Sequence, residues 1–207
     1  DHIGDTAVIA KRTGAPVLCG PDVRFKLIDD GVDPDQIQAI VPGIRTEIGG
    51  IVVTPIESHH ASSVTLSDGT VLTGPPLGFI FDTEPGVRIY HTGDTAISGD
   101  MRIIGEIHSP TVALLGCAQP AALLHLVPGP GTILSGEMNS YEAALAAEWL
   151  GVDCAVASHY LDPQNPQVVE FVEHVNALDT TGRRVALAPK VGDTIVIDPP
   201  DYRVEAV

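Results

Sequence analysis

The sequence has few cations and no long apolar run. Lys and Arg number 11 against 27 Asp and Glu, so the 207-residue chain carries a formal net charge of −16 at pH 7. Such a surface repels phosphate backbones and anionic lipids, and no basic run compensates for it. No stretch of about 18 uninterrupted apolar residues is present that could span a bilayer. We therefore expect neither a nucleic-acid partner nor a membrane.

Cysteine is also scarce. The three cysteines, Cys19, Cys117 and Cys154, are odd in number, widely spaced and set among apolar residues. This pattern favours buried free thiols over a disulfide framework and is typical of a reducing, cytoplasmic protein. No basic segment followed by an apolar run begins the chain, so no secretory signal is visible. The low lysine content beside Ala, Val, Pro and Arg suggests a bacterial source.

The order of predicted elements indicates an α/β fold in one domain over residues 1–207. One helix is predicted with particular clarity over 139–150, because Ala143, Ala147 and Leu150 recur at helical spacing and Gly151 ends it. The other predicted helices cover 5–13, 21–31, 99–107 and 165–178. Predicted strands cover 15–20, 51–58, 78–83, 87–92, 111–116, 152–158, 184–188 and 194–198.

Two Pro- and Gly-rich pieces, 73–78 and 128–131, are short enough to be loops over a site. The longer loops that contain them are mostly apolar and hold no Arg or Lys. They would suit a small, partly apolar substrate and argue mildly against a phosphorylated one.

Histidine and aspartate gather where predicted strands end. His2, His59 with His60, His91 and His159 all lie at such positions, together with Asp1 and Asp94. Neutral imidazoles and ionised carboxylates are the ligands of zinc and similar ions, and a two-metal site adds a bridging carboxylate. The pattern therefore predicts a metal site.

Four motifs, "DHIGD" at 1–5, "ESHHASS" at 57–63, "YHTGDT" at 90–95 and "ASHY" at 157–160, resemble those of the metallo-β-lactamase superfamily. More narrowly, they resemble its branch of small metal-dependent hydrolases related to the ascorbate-6-phosphate lactonases. The resemblance covers most of residues 1–165 and implies a four-layer αββα sandwich. The last forty or so residues match only loosely.

The resemblance also implies a ligand set. Asp1 and His2 correspond to ligands of the second metal, His60 to a ligand of the first, Asp94 to the bridging carboxylate and His159 to the last ligand of the second metal. His60 is preferred to His59 because a small residue and Ser-Ser follow it, and His59 stays open as the alternative. His91 is interpreted as a residue that orients the loop carrying Asp94.

The chain departs from the family pattern at its start. The family's first motif reads H-x-H-x-D-H-x-G-D, and this sequence supplies only D-H-x-G-D. About two strands of the usual first sheet would be absent as well. We therefore expect an N-terminally incomplete domain, with a segment supplied by another chain or a degenerate site as the alternatives.

These inferences predict a binuclear metal-dependent hydrolase with two divalent ions, zinc or manganese. A metal-bound hydroxide would attack a small ester, lactone or phosphodiester, and Asp1 would pass a proton to the leaving group. Two other classes stay open: a non-catalytic binding or scaffold module with a degenerate site, and a redox protein with iron and a flavin partner. We expect a small-molecule substrate and leave room for a homo-oligomer.

Overall fold

The computed structural model describes residues 2–119, 124 and 129–206. Asp1 and part of the predicted loop 128–131 lie outside the described residues. Five helices are described, and none combines the length and apolar character that crossing a bilayer requires. They are α1 (Thr6–Thr13), α2 (Pro21–Asp29), α3 (Asp100–His108), α4 (Ser140–Leu150) and α5 (Pro166–Leu178).

The described strands are mostly short. They are β1 (Val17–Cys19), β2 (Ile37–Ala39), β3 (Thr46–Ile48), β4 (Ile51–Glu57), β5 (Ser63–Thr65), β6 (Val71–Thr73), β7 (Leu77–Glu84), β8 (Val87–His91), β9 (Val112–Gly116), β10 (Cys154–Ser158), β11 (Val185–Leu187), β12 (Thr194–Asp198) and β13 (Asp201–Glu205). Together with the helices they confirm the predicted α/β class.

One large mixed sheet organises the described residues. Its strand order is β11-β10-β9-β8-β7-β4-β3. The four strands β8 to β11 are mutually parallel, and β7, β4 and β3 add on in antiparallel fashion. Because β7 is antiparallel to both β4 and β8, the strands β4, β8, β9 and β10 all point the same way. Their carboxyl ends therefore meet at one edge of the sheet.

The faces of the central strands alternate in the manner of a sheet that is covered on both sides. On one face, Ala113 and Leu115 of β9 pack with α3, α4 and α5. On the other face, Val112 packs beside Val156 and against Tyr202 of the β12–β13 hairpin. A separate small core joins α1 and α2 to the parallel pair β1–β2.

The helix α4 is capped at its amino end and packs closely against α3. Its amino end carries a capping box, in which Asn139 Oδ1 accepts the Glu142 N–H and Glu142 Oε2 accepts the Asn139 N–H, each at 2.9 Å. Gly105 lets α3 approach α4 closely, because a Cβ there would lie 2.7 Å from the Trp149 carbonyl oxygen. The Gly105 position is thus a contact of two helix backbones.

Candidate metal centre

The site lies at the sheet edge where β4, β8, β9 and β10 end. The segment after β4 carries His60, the turn after β8 carries Asp94, the segment after β9 leads to Glu137, and His159 follows β10 directly. In open α/β sheets this carboxyl edge is where ligands commonly bind. Parallel strand direction therefore explains why residues a hundred positions apart in sequence come together.

The turn after β8 is shaped to present Asp94. Gly93 has φ +62°, a left-handed conformation that disfavours a side chain, and a Cβ there would lie 3.2 Å from the Leu77 carbonyl oxygen. The Gly93 N–H donates to His91 Nδ1 at 3.0 Å. This hydrogen bond is a contact through which His91 can orient the loop, the role that we predicted for it.

Asp94 faces two of the predicted ligands. Its Oδ2 lies 3.1 Å from His2 Nε2 and 3.7 Å from His159 Nε2. One atom from each of the three side chains lies within 4.8 Å of the others. Bonds of about 2.0–2.2 Å put two ligand atoms of one ion about 3–4 Å apart, so these separations fit a single divalent cation. The nitrogen and carboxylate donors also have the chemistry that such an ion requires.

The two adjacent histidines separate in the structure. His60 groups with Asp94 and Glu137, again with one ligand atom of each within 4.8 Å of the others. His59 instead turns towards α3, where its Nε2 lies 3.7 Å from Asp100 Oδ2. The backbone between them is held because the His59 N–H donates to Thr95 Oγ1 at 2.9 Å. This arrangement supports His60 rather than His59 as the candidate ligand.

Glu137 is the residue that the sequence analysis missed. Its side chain is only 4% exposed, and its Oε2 lies 2.8 Å from His159 Nδ1. The contact is short but not aligned as a strict hydrogen bond. Glu137 belongs to none of the four motifs. The one available signal was its position between the predicted strand 111–116 and the predicted helix 139–150.

The electrostatics of His159 follow from its neighbours. The contact with Glu137 raises the pKa of His159 above its ordinary value, partial burial opposes this, and Asp94 adds to the rise. In the backbone His159 has φ +59°, which is unusual for a residue with a side chain. Such conformations are concentrated at functional sites.

Other residues near the site have structural partners. Ser62 Oγ donates to the buried carboxylate of Asp22 at 2.6 Å, and Ser58 Oγ donates to the Thr92 carbonyl at 2.7 Å. The Ser62 contact agrees with our interpretation of its hydroxyl as structural. Asp1, expected as ligand and proton donor, lies outside the described residues.

A cavity of about 590 Å³ opens beside this cluster. Its lining includes His2, His60 and Asp94, and the loop 73–78 contributes Pro75 and Pro76. Within the described residues the cation in its wall is Lys26, whose Nζ lies 2.5 Å from Asp30 Oδ1. The carboxylate of Asp30 already balances that charge.

Known proteins resemble this chain over most of its length. The family described as "Beta-lactamase superfamily domain" matches residues 1–160. A UPF0173 metal-dependent hydrolase of Rubrobacter xylanophilus is 34% identical over 183 residues, which is 86% of this chain and 68% of that protein. One from Methanopyrus kandleri is 30% identical over 191 residues, covering 91% of this chain and 75% of its own length.

Solved structures share the fold. Igni18, a metallo hydrolase from Ignicoccus hospitalis, superposes with a TM-score of 0.64 at 22% identity, over 100% of this chain and 75% of that one. The metallo-β-lactamase fold protein YhfI from Bacillus subtilis gives a TM-score of 0.60 at 16% identity, over 92% and 70% of the two chains.

Proposed function

Because the chain belongs to the beta-lactamase superfamily and is one of its metal-dependent hydrolases, we propose that it hydrolyses a small ester, lactone or phosphodiester with two divalent ions, zinc or manganese. One observation carries the proposal. Imidazole and carboxylate donors from separate segments converge at one sheet edge, beside a cavity of small-molecule size.

The donor atoms fall into two groups that share one residue. His2 and His159 group with Asp94 in one set, and His60 and Glu137 group with it in the other. Asp94 is therefore the residue that we propose to be shared between two ions. Divalent ions bound there would lower the pKa of water towards ~7 and offset negative charge that develops on a substrate oxygen.

In this proposal the protein side chains bind the cations, exclude water and transfer a proton. Asp94 and the imidazoles neutralise and orient the cations, and the apolar wall from Pro75, Pro76 and Phe79 excludes water from one side of the substrate. Asp1 is kept as our proposal for the group that passes a proton to the leaving group.

The cavity and the charge distribution favour a small substrate that lacks a strongly anionic group. A volume of about 590 Å³ is within the usual range of about 300–1,000 Å³ for small-molecule sites. The neutralised Lys26 and the net charge of −16 both disfavour substrates with a strongly anionic group. We place the activity in the cytoplasm, since the three cysteines are free and buried.

The experiment compares two aspartates. Asp94→Asn removes the shared carboxylate charge, while Asp100→Asn makes the same chemical change at an exposed position at the start of α3. Purified wild-type protein and both variants are analysed for bound zinc, manganese and iron, and then assayed with nitrophenyl esters, a lactone series and a phosphodiester.

We expect wild-type protein to turn over at least one substrate class only when metal is present. Asp94→Asn should lose bound metal and at least about 100-fold of kcat/KM, because a ligand and the site's balancing charge are removed together. Asp100→Asn should match wild type. A metal-loaded wild type that hydrolyses none of the substrates would contradict the proposal and favour the scaffold function.

A further inference from the structure

Glu137 is a buried carboxylate to which neither the motifs nor the family match assigns a role. Its side chain is 4% exposed, and its Oε2 meets no strictly aligned hydrogen-bond donor among the described residues. Burial of a charged carboxylate is unfavourable unless a partner offsets it. The group that approaches it is His159, whose Nδ1 lies 2.8 Å away.

The backbone of His159 has an unusual conformation at the point where it meets Glu137. The residue follows the last position of β10 and adopts φ +59°. A left-handed conformation is unfavourable for a side-chain-bearing residue and persists where surrounding contacts hold it. Contacts around His159 therefore hold this conformation, and Glu137 lies against the Nδ1 side of its ring.

The two ring nitrogens of His159 face different groups. Nδ1 faces Glu137, whereas Nε2 faces Asp94 Oδ2 at 3.7 Å and belongs to the donor group with His2. A carboxylate beside Nδ1 favours the tautomer with the proton on that nitrogen, which leaves the Nε2 lone pair free for a metal.

We propose that Glu137 is a positioning residue that holds His159 as the Nδ1–H tautomer and aims Nε2 at the metal beside Asp94. The inference rests on the proposed metal-dependent function. It also extends that function, because it assigns a residue outside the recognised motifs to the assembly of the site.

Glu137 is itself held from two sides. Gln119, just past β9, donates its amide N–H to the Glu137 carbonyl, and its Oε1 accepts the Gly136 N–H at 3.0 Å. On the other side, the Met138 N–H donates to the Thr95 carbonyl at 3.1 Å, in the loop of Asp94. The backbone that carries Glu137 is therefore anchored to the same segments that carry the ligands.

A direct ligand role for Glu137 is the competing explanation, since it also groups with His60 and Asp94. The two roles differ in what they predict. A lost ligand lowers the number of ions bound at saturation. A lost positioning contact weakens affinity and changes the His159 tautomer, while the number of ions at saturation stays the same.

The test uses Glu137→Gln, with Glu106→Gln as a control that makes the same change on the exposed side of α3. The side-chain ¹⁵N resonances of His159 are recorded in metal-free protein, and the zinc Kd and saturating stoichiometry are measured by competition with a chelator. Glu137→Asp, which keeps the charge on a shorter side chain, serves as the conservative variant.

At a pH where the His159 ring is neutral, we expect the Nδ1–H tautomer in wild type and in Glu106→Gln. Glu137→Gln should shift it towards Nε2–H and weaken the zinc Kd about 10–100-fold at unchanged stoichiometry, and Glu137→Asp should recover part of both. An unchanged tautomer and Kd in Glu137→Gln would overturn the inference, as would the loss of a bound ion at saturation. The tautomer is read without metal, so this test can fail or succeed independently of hydrolysis.

Discussion

At the scale of single residues, the neighbouring histidines of the 58–60 segment offer a matched pair. His60 lies with Asp94 and Glu137, whereas His59 faces the exposed Asp100. We predict that His60→Ala lowers metal content and cuts kcat/KM at least about 100-fold, because it removes a donor from the site. His59→Ala should retain both metal and activity. Elemental analysis and steady-state kinetics on the two variants measure this.

The opposite result would reverse the ligand assignment. If His59→Ala lost metal while His60→Ala kept it, the segment would have to rearrange when metal binds. The hydrogen bond from the His59 N–H to Thr95 Oγ1 would then no longer describe the loaded site.

The buried thiols give a second prediction at this scale. Burial raises the pKa of Cys117 and Cys154 to about 12 and that of Cys19 to about 11, from a usual value near 9. The folded state therefore keeps these protons where the unfolded state would release them, so the free energy of unfolding falls as the pH rises above about 9.

Burial also limits the reactivity of the thiols. At pH 8 we expect less than one thiol per chain to react with Ellman's reagent in native protein, and three after denaturation.

A fast reaction of two or more thiols in the native state would show that these side chains reach solvent. The protein would then need a more open packing of β9 and β10 than the structure has. A urea transition that moved to higher denaturant between pH 8 and pH 10 would contradict the predicted sign of the pH dependence.

At the scale of elements, the crossing of α3 and α4 depends on Gly105. A Cβ there would meet the carbonyl oxygens of Trp149 and Leu150 at 2.7 and 2.8 Å, so Gly105→Ala must push two backbones apart. We predict a loss of about 1–3 kcal/mol in the free energy of unfolding. Gly99→Ala is the control, because a Cβ there has nothing within 4 Å and its φ of −61° suits alanine. Urea titration of both variants measures the difference.

Equal stability of the two alanine variants would mean that α3 and α4 can separate at little cost. In that case the core around Met101 and Leu150 would be looser than its complete burial indicates.

The helices and strands also show which parts of the fold the sequence could predict. The five predicted helices and eight predicted strands all match described elements, because each had a periodic apolar pattern or a cap such as Asn139. The strands β2, β3, β5, β6 and β13 were not predicted. Four of them have only three residues, too few for alternation to appear; β3 pairs with β4 and β5 with β6 in local hairpins, and β2 pairs with β1.

The residues of the site likewise fall into those that the sequence predicted and one that it did not. His2, His60, Asp94 and His159 were named from motifs, which record local sequence. Glu137 could not be, since its role depends on the path between β9 and α4 and on the contact with His159. A buried carboxylate next to a strained histidine is a tertiary feature, and local sequence does not encode it.

At the scale of the whole molecule, metal binding should couple to stability. His2 lies before α1, whereas Asp94 and His159 follow β8 and β10, so an ion that binds these three side chains ties the α1–α2 unit to the large sheet. Binding to the folded state alone stabilises it by about 2.7 kcal/mol when free metal is at 100 times its Kd. We predict that chelation lowers the Tm by several degrees and that zinc or manganese restores it.

The Asp94→Asn variant separates this coupling from general effects of cations. A net charge of −16 means that divalent ions can stabilise the protein by screening alone, without a specific site. Screening should raise the Tm of wild type and Asp94→Asn equally and should also occur with magnesium at matched ionic strength. Binding at the site should raise the Tm of wild type only, at micromolar zinc. If both proteins respond alike at every zinc concentration, the His–Asp cluster does not join the two parts of the fold through a metal.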